Sequence, residues 1–166
     1  MISEISKLRT LEEAKARKET FSQKGKKVVL TNGCFDLLHT GHLFFLKKAA
    51  DLGDALFIGL NGDKSVHALK GPTRPVQSEM ERAYLMSALD FVDTIFIFQT
   101  KRLTAEIETL QPDIYSKAGD YGMKSINQEE KEALIRSGSS IKFLPFLKGY
   151  STTTLIQKIQ AAANTF

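Results

Sequence analysis

The order of apolar and polar positions along this chain predicts strands and helices in regular succession. "RTLEEAKARKETFSQKGKK" is a charged surface helix, with Gly25 just past its end. "KVVLT" follows, a short β-branched apolar run of the kind that forms a buried strand. "GHLFFLKKAADLG" is helical: Leu43, Leu46 and Ala50 share a face, and Gly53 is placed as a C-cap. "ALFIGLN" is a second strand, and "KGPTRPV" a loop punctuated by prolines. "SEMERAYLMSALD" is a helix in which Ser78 and Glu81 form a capping box. "TIFIF" is a third strand and "RLTAEIETLQ" a helix ended by Pro112. "DIYS" is a short strand, "NQEEKEALIRSG" a helix between Asn127 and Gly138, "IKFLPF" a fifth strand and "STTTLIQKIQ" the closing helix.

Strands that alternate with helices in this way predict an α/β fold with a parallel sheet. The expected architecture is a Rossmann-like, doubly wound five-stranded parallel sheet with helices on both faces. It forms one domain over residues 1–166, of which 1–25 are a helical lead-in. Ligands of such sheets sit beyond the carboxyl ends of the strands. The chemically unusual residues fall there. "TNGCFDLLHTGH" follows the first strand, Asn61 and Asp63 the second, "KAGDY" the fourth and "KGYSTTT" the fifth.

Composition narrows the class. Hydrophobic residues make up 42% and charged residues 25%, as in a soluble globular domain. No apolar run is long enough to span a bilayer, and the charged N-terminus lacks the apolar core of a secretion signal. A single cysteine excludes an internal disulfide and fits a reducing, cytoplasmic compartment. The net charge of +4, without clustered cations and stacking aromatics, suits a small anionic ligand and argues against nucleic acid.

"TNGCFDLLHTGH" supports three readings. His39 and His42, three apart on a first helical turn, could share a metal, but zinc needs further ligands. Cys34 could be a nucleophile, or a small buried apolar residue beside Phe35. The third reading is a phosphate site. A strand end feeds a glycine-containing turn that opens a helix, offering free N–H groups and the positive end of the helix dipole. The histidines add donors able to carry charge near neutral pH, and Gly41 lets a backbone pass close to the ligand. The dinucleotide fingerprint and the Walker loop are both absent, so such a site is of another kind.

His39-Thr40-Gly41-His42 resembles the HxGH signature of the nucleotidyltransferase superfamily, and Ser151-Thr152-Thr153-Thr154 resembles its second signature. With "LKGPTRPV" and "KAGDY", these stretches resemble the adenylyltransferase domain of ADP-heptose synthases, from about residue 10 onward. One departure is Ala118-Gly119, where family members usually carry two glycines. The resemblance implies ATP plus D-glycero-D-manno-heptose 1-phosphate giving ADP-heptose and pyrophosphate, with Mg2+ accompanying ATP. It also implies direct in-line attack without a covalent intermediate, and a role in lipopolysaccharide or surface-layer glycan synthesis. Many such domains follow a sugar kinase; this chain has no room for one, so a stand-alone form is expected. A homodimer is expected. The alternatives are a cytidylyltransferase acting on glycerol 3-phosphate or a related polyol phosphate, and a non-catalytic nucleotide sensor.

The roles that follow are expectations. His39 and His42 are assigned to the α-phosphate and the transition state. Lys47, on the same helix, is either a third catalytic group or a solvated lysine. Nucleotide and phosphate binding falls to Thr31, Asn32, Gly33, Cys34, Phe35, Gly41, Lys117, Gly119 and Asp120, and to Ser151, Thr152 and Thr153, whose alternative is simple N-capping. Lys70 and Arg74 are placed on a mobile basic lid that reaches the triphosphate or sugar phosphate. Asp36, Asn61 and Asp63 are substrate-binding candidates. Asp120 is also a candidate for Mg2+.

Overall fold

The computed structural model describes residues 5–119 and 126–163. Five strands form one parallel sheet: β1 (Val28–Gly33), β2 (Ala55–Asn61), β3 (Thr94–Phe98), β4 (Ile114–Ala118) and β5 (Ser140–Leu144). Their spatial order is β3-β2-β1-β4-β5. The chain therefore winds outward from β1 in one direction, then restarts at β4 on the other side. The helices are α1 (Leu11–Gln23), α2 (Thr40–Ala50), α3 (Asp63–Lys70), α4 (Glu79–Ser87), α5 (Thr104–Leu110), α6 (Gln128–Arg136) and α7 (Thr152–Ala163).

The central strands are apolar on both faces because each face is covered. Val28 and Leu30 of β1 and Phe57 of β2 pack in a cluster with Ala14 of α1, Ile107 of α5 and Leu134 of α6. Val29 of β1 and Ile58 and Leu60 of β2 face the other way, into a cluster with Leu46 of α2 and Ala83 and Met86 of α4. Two cores on opposite faces are what a doubly wound sheet requires. The lead-in adds to the sheet edge: residues 7–9 run alongside β3, exchanging backbone hydrogen bonds with Ile95.

Two local expectations need correction. Leu46 is buried as expected, but Phe45 and Ala49 complete the buried face of α2, whereas Leu43 is exposed and Ala50 only partly buried. Asp51, in the right-handed region, takes the C-cap position. Gly53 instead permits close packing, since a Cβ there would lie 2.8 Å from the Lys27 carbonyl oxygen. Helix α3 occupies a stretch to which the apolar pattern assigns no element; its eight residues, Asp63–Lys70, follow Gly62, which offers no side-chain cap, so neither length nor capping announces it.

The site is positioned by an unequal sheet seam. β1 pairs with β2 over its whole length, from Val28↔Ala55 to Gly33↔Leu60. It pairs with β4 only at Val29↔Ile114 and Leu30↔Tyr115. Beyond that point the strands part. The Thr31 hydroxyl bridges the start of the fork by donating to the Ser116 carbonyl at 2.9 Å. The winding reverses here, where open α/β sheets hold ligands.

Candidate active site

A cavity of about 490 Å³ opens above the fork. Asn32 and Gly33 at the end of β1 form one wall, and Lys117 and Ala118 at the end of β4 form the other. Cys34, Phe35, Asp36 and His42 line it from the loop and helix after β1. Lys70 and Arg74 border it after β2, and Thr152 and Thr153 border it from α7. A contiguous space includes His39, Gly41 and Ser151. Groups from four separate chain segments thus converge on one place.

The histidines are built by the start of α2. His39 is the N-cap, and its Nδ1 accepts the His42 N–H at 3.3 Å. A ring that accepts at Nδ1 carries its proton on Nε2, which leaves Nε2–H for a ligand. The two rings stack, with centroids 3.7 Å apart and planes 19° apart. His42 also meets the Phe35 ring edge-to-face at 5.2 Å, and its Nδ1 is buried without a hydrogen-bond partner. Burial, and secondarily the neighbouring His39, push the His42 pKa down to about 4. Burial lowers His39 as well. Both rings are therefore neutral donors at neutral pH, and burial disfavours the charge they were expected to be able to carry. A phosphate dianion would reverse that bias by favouring the protonated ring.

Asn32 is oriented from below. The Tyr115 hydroxyl donates to its Oδ1 at 2.6 Å, directing the Asn32 amino group away from Tyr115. Tyr115 lies in the core, and burial pushes its phenol pKa up. Gly33 must be small, because a Cβ would lie 2.9 Å from the Phe35 ring. Gly41 must be small as well: a Cβ would meet the Tyr150 Cβ at 3.0 Å and the His39 ring at 3.1 Å. The backbone passing close to Gly41 is thus the chain's own final loop. The Cys34 thiol is half-buried, and burial raises its pKa against the opposing charges of Lys70 and Arg82.

Several candidates lie elsewhere or have other duties. Lys47 points to solvent and pairs with Asp51 at 3.7 Å, outside the cavity. Thr31 is buried beneath the site and committed to Ser116. Asn61 is buried and donates to the Ser65 hydroxyl, while Asp63 pairs with Arg82 at 2.7 Å; neither lines the cavity. Ser151 caps α7, its hydroxyl accepting the Thr154 N–H at 3.0 Å, while Thr152 and Thr153 line the main cavity. Gly119 is buried at φ 142°, a conformation that favours glycine, and its N–H donates to the Leu144 carbonyl. Asp120 lies outside the described residues.

The lid expectation changes most. Arg74 forms an ion pair with Asp36, whose carboxylate is 2% exposed and also accepts the N–H groups of Val76 (2.7 Å) and Gln77 (3.1 Å). The basic loop is therefore clamped to the loop after β1. Asp36 acts as that clamp, with three donors on its two oxygens. Among the described residues no cluster of three or more His, Cys, Asp or Glu is placed to hold a metal.

Comparison with known proteins gives the class first. A solved structure of pantoate-beta-alanine ligase from Francisella tularensis shares the fold, with a TM-score of 0.55 at 11% identity over 92% of this chain and 76% of that one. The lipopolysaccharide core biosynthesis protein from Thermoplasma volcanium superposes with a TM-score of 0.62 at 26% identity, covering 76% of this chain and all of that one. These are α/β folds of the nucleotidyltransferase type. Residues 30–158 match the family described as cytidylyltransferase-like, and the chain belongs to that family of nucleotidyltransferases. Among curated relatives it is 45% identical to the bifunctional protein HldE of Citrifermentans bemidjiense over 95% of its own length, and 42% identical to that of Sulfurimonas denitrificans over 92%. The chain spans about a third of the length of these relatives. No helix among the described residues is long and apolar enough to cross a membrane.

Proposed function

We propose that this chain transfers the adenylyl group of ATP to a heptose 1-phosphate, releasing pyrophosphate. The observation that carries the reading is the convergence of His39, His42, Lys70, Lys117, Thr152 and Thr153 on the fork between β1 and β4. Neutral and cationic donors from separate elements surround one space, as charge stabilisation in phosphoryl-type transfer demands. The likeness to HldE proteins and to a lipopolysaccharide core biosynthesis protein supports ATP and heptose phosphate as the pair.

A phosphate monoester has a second pKa near ~6 and is mostly dianionic at neutral pH. One of its oxygens attacks the α-phosphorus, the new P–O bond forms, and the bond to the bridging oxygen of the β-phosphate breaks. Pyrophosphate leaves with that electron pair. No general base is needed, so the protein's work is alignment and charge stabilisation. The Nε2–H of His39 and the His42 ring donate to the α-phosphate oxygens as charge builds there. Lys70 and Lys117 face the flanking phosphates.

Asp36, the carboxylate of the cavity wall, is engaged by Arg74 and two amides, and among the described residues no group of three or more His, Cys, Asp or Glu is placed to hold a metal. In this reading magnesium arrives as part of the MgATP substrate.

A second reading, cytidylyl transfer to a polyol phosphate, is favoured by the description of the family itself. Pyrophosphate release measured with ATP or CTP, each paired with heptose 1-phosphate or glycerol 3-phosphate, separates the two. ATP with heptose 1-phosphate is expected to be fastest. Equal or faster turnover with CTP and glycerol 3-phosphate would overturn the heptose assignment.

A further inference from the structure

Arg82 is a fully buried arginine, 0% exposed, on the first turn of α4. Its guanidinium meets four acceptors. Nε donates to the Gln77 carbonyl (3.0 Å), Nη1 to the carbonyls of Cys34 (2.6 Å) and Asn61 (2.7 Å), and Nη2 to Asp63 (2.7 Å). These acceptors belong to the loop after β1, the end of β2, the start of α3 and the segment leading into α4. A buried cation is expensive unless its hydrogen bonds are complete, and here Nε and both terminal nitrogens are engaged.

The Cys34 contact matters most. That carbonyl belongs to the peptide plane joining Cys34 to Phe35, and Phe35 sits at φ 44°. A bulky residue in the left-handed region is strained by ~1–3 kcal/mol and persists only where its surroundings hold it. The turn at Phe35 brings Asp36 inward and leads to His39 at the start of α2. Through Gln77 the same guanidinium grips the loop that Asp36 clamps, and with it Arg74. One side chain beneath the site therefore ties two of its walls together.

We infer that Arg82 is a positioning residue for nucleotidyl transfer: by fixing the Cys34–Phe35 peptide plane and the Gln77 carbonyl from inside the fold, it holds the phosphate-facing loop and the Arg74 loop in one mutual geometry. The inference rests on the nucleotidyltransferase reading for its catalytic consequence but not for its geometric one. Lysine cannot replace the guanidinium, because three donors on a point charge do not span a planar fork of four acceptors.

The test exploits Cys34, the single cysteine of the chain and a residue of the cavity wall. Its reaction with an aromatic disulfide reagent reports the state of the loop without any turnover. Arg82→Lys is compared with Leu134→Ala, a control destabilised from the opposite core. Asp63→Asn is a milder variant that removes only the half-exposed charged partner of Arg82. All are assayed well below their melting temperatures. Labelling is expected to accelerate about tenfold or more in Arg82→Lys and about threefold in Asp63→Asn, and not in the control. Per folded molecule, kcat of Arg82→Lys is expected to fall at least tenfold while the control keeps its kcat. Labelling in both Arg82→Lys and Asp63→Asn at the rate of the control would overturn the inference, as would wild-type kcat in Arg82→Lys. Should Arg82→Lys fail to fold, Asp63→Asn decides alone. A wild type inactive with every nucleotide and sugar phosphate tried would defeat the nucleotidyltransferase reading instead, and the labelling rates would still decide the role of Arg82.

Discussion

The amide N–H of His42 donates to Nδ1 of His39, and the two imidazoles stack at 3.7 Å. One bond thus caps helix α2 and fixes which nitrogen of His39 carries the proton. The two duties can be separated. Asparagine is among the best N-caps, so His39→Asn should keep the helix start and lose the Nε2–H donor. A melting temperature within a few degrees of wild type is expected, with kcat lower by about 10²-fold or more, as for loss of an oxyanion-type donor. Near wild-type kcat in the folded variant would refute the role.

Arg74 neutralises a carboxylate that water scarcely reaches. Arg74→Ala leaves Asp36 with its two amide donors but without its cation. Unfolding by urea is expected to show a loss of about 2–3 kcal/mol, somewhat below the ~3–5 kcal/mol of breaking a fully buried pair because Arg74 is partly exposed. Adding Asp36→Asn to that variant should recover part of the loss by removing the uncompensated charge. An unchanged denaturation midpoint in Arg74→Ala would show that the clamp contributes nothing.

Acid should destabilise the ligand-free protein through His42. An unfolded histidine takes its proton near pH 6.5, whereas folded His42 resists until about pH 4. Between those values the unfolded state binds more protons, so stability falls as pH falls through this window and is level above it. The loss is on the order of 1–3 kcal/mol. His42→Gln should flatten the dependence of melting temperature on pH between 6.5 and 4. The same slope in that variant would assign the effect to other groups. Bound phosphate ligand should be accompanied by proton uptake near pH 6, visible by calorimetry in buffers of differing ionisation enthalpy.

Gly41→Ala places a methyl against the Tyr150 Cβ and the His39 ring. The final loop should shift by a few tenths of an ångström, with kcat/KM falling about tenfold and little change in stability. A 1 Å misplacement can cost ~10²-fold in a well-aligned site, so a smaller shift warrants a smaller loss. Tyr150→Gly in the same background removes the clashing Cβ and should restore part of the activity. No change in either variant would remove the steric account.

Cys34→Ala is expected to retain most activity, since burial keeps the thiol protonated and the sugar phosphate supplies the nucleophile. Abolished turnover at normal stability, or a nucleotidyl adduct on Cys34 by mass spectrometry, would contradict this.

The parallel strands were legible because strands covered on both faces are written as uninterrupted apolar runs, and "TIFIF" can hardly be anything else. The helix around Ser78 and Glu81 announced itself through side chains that bond to its own backbone. Arg82 did not. An arginine in an amphipathic helix reads as solvated, and its burial depends on carbonyls at Cys34, Asn61 and Gln77 that only the tertiary fold assembles. The lysines were ambiguous for the same reason. Lys47 had proximity in sequence to the histidines, but the helix turns it outward, while Lys70 and Lys117 arrive from other segments. Asp36 was noticed, but its partners lie about forty residues further along the chain.

The shallow seam between β1 and β4 divides the sheet mechanically. On one side β1, β2 and β3 are laced rung by rung into a stiff plate; on the other, β4 and β5 form a second. Between them run two rungs and a few side-chain stitches, from Thr31 to Ser116 and from Tyr115 to Asn32. Each plate carries one wall of the cavity. The width of the gap between Asn32 and Lys117 is therefore set by side chains reaching across the seam rather than by a continuous backbone ladder.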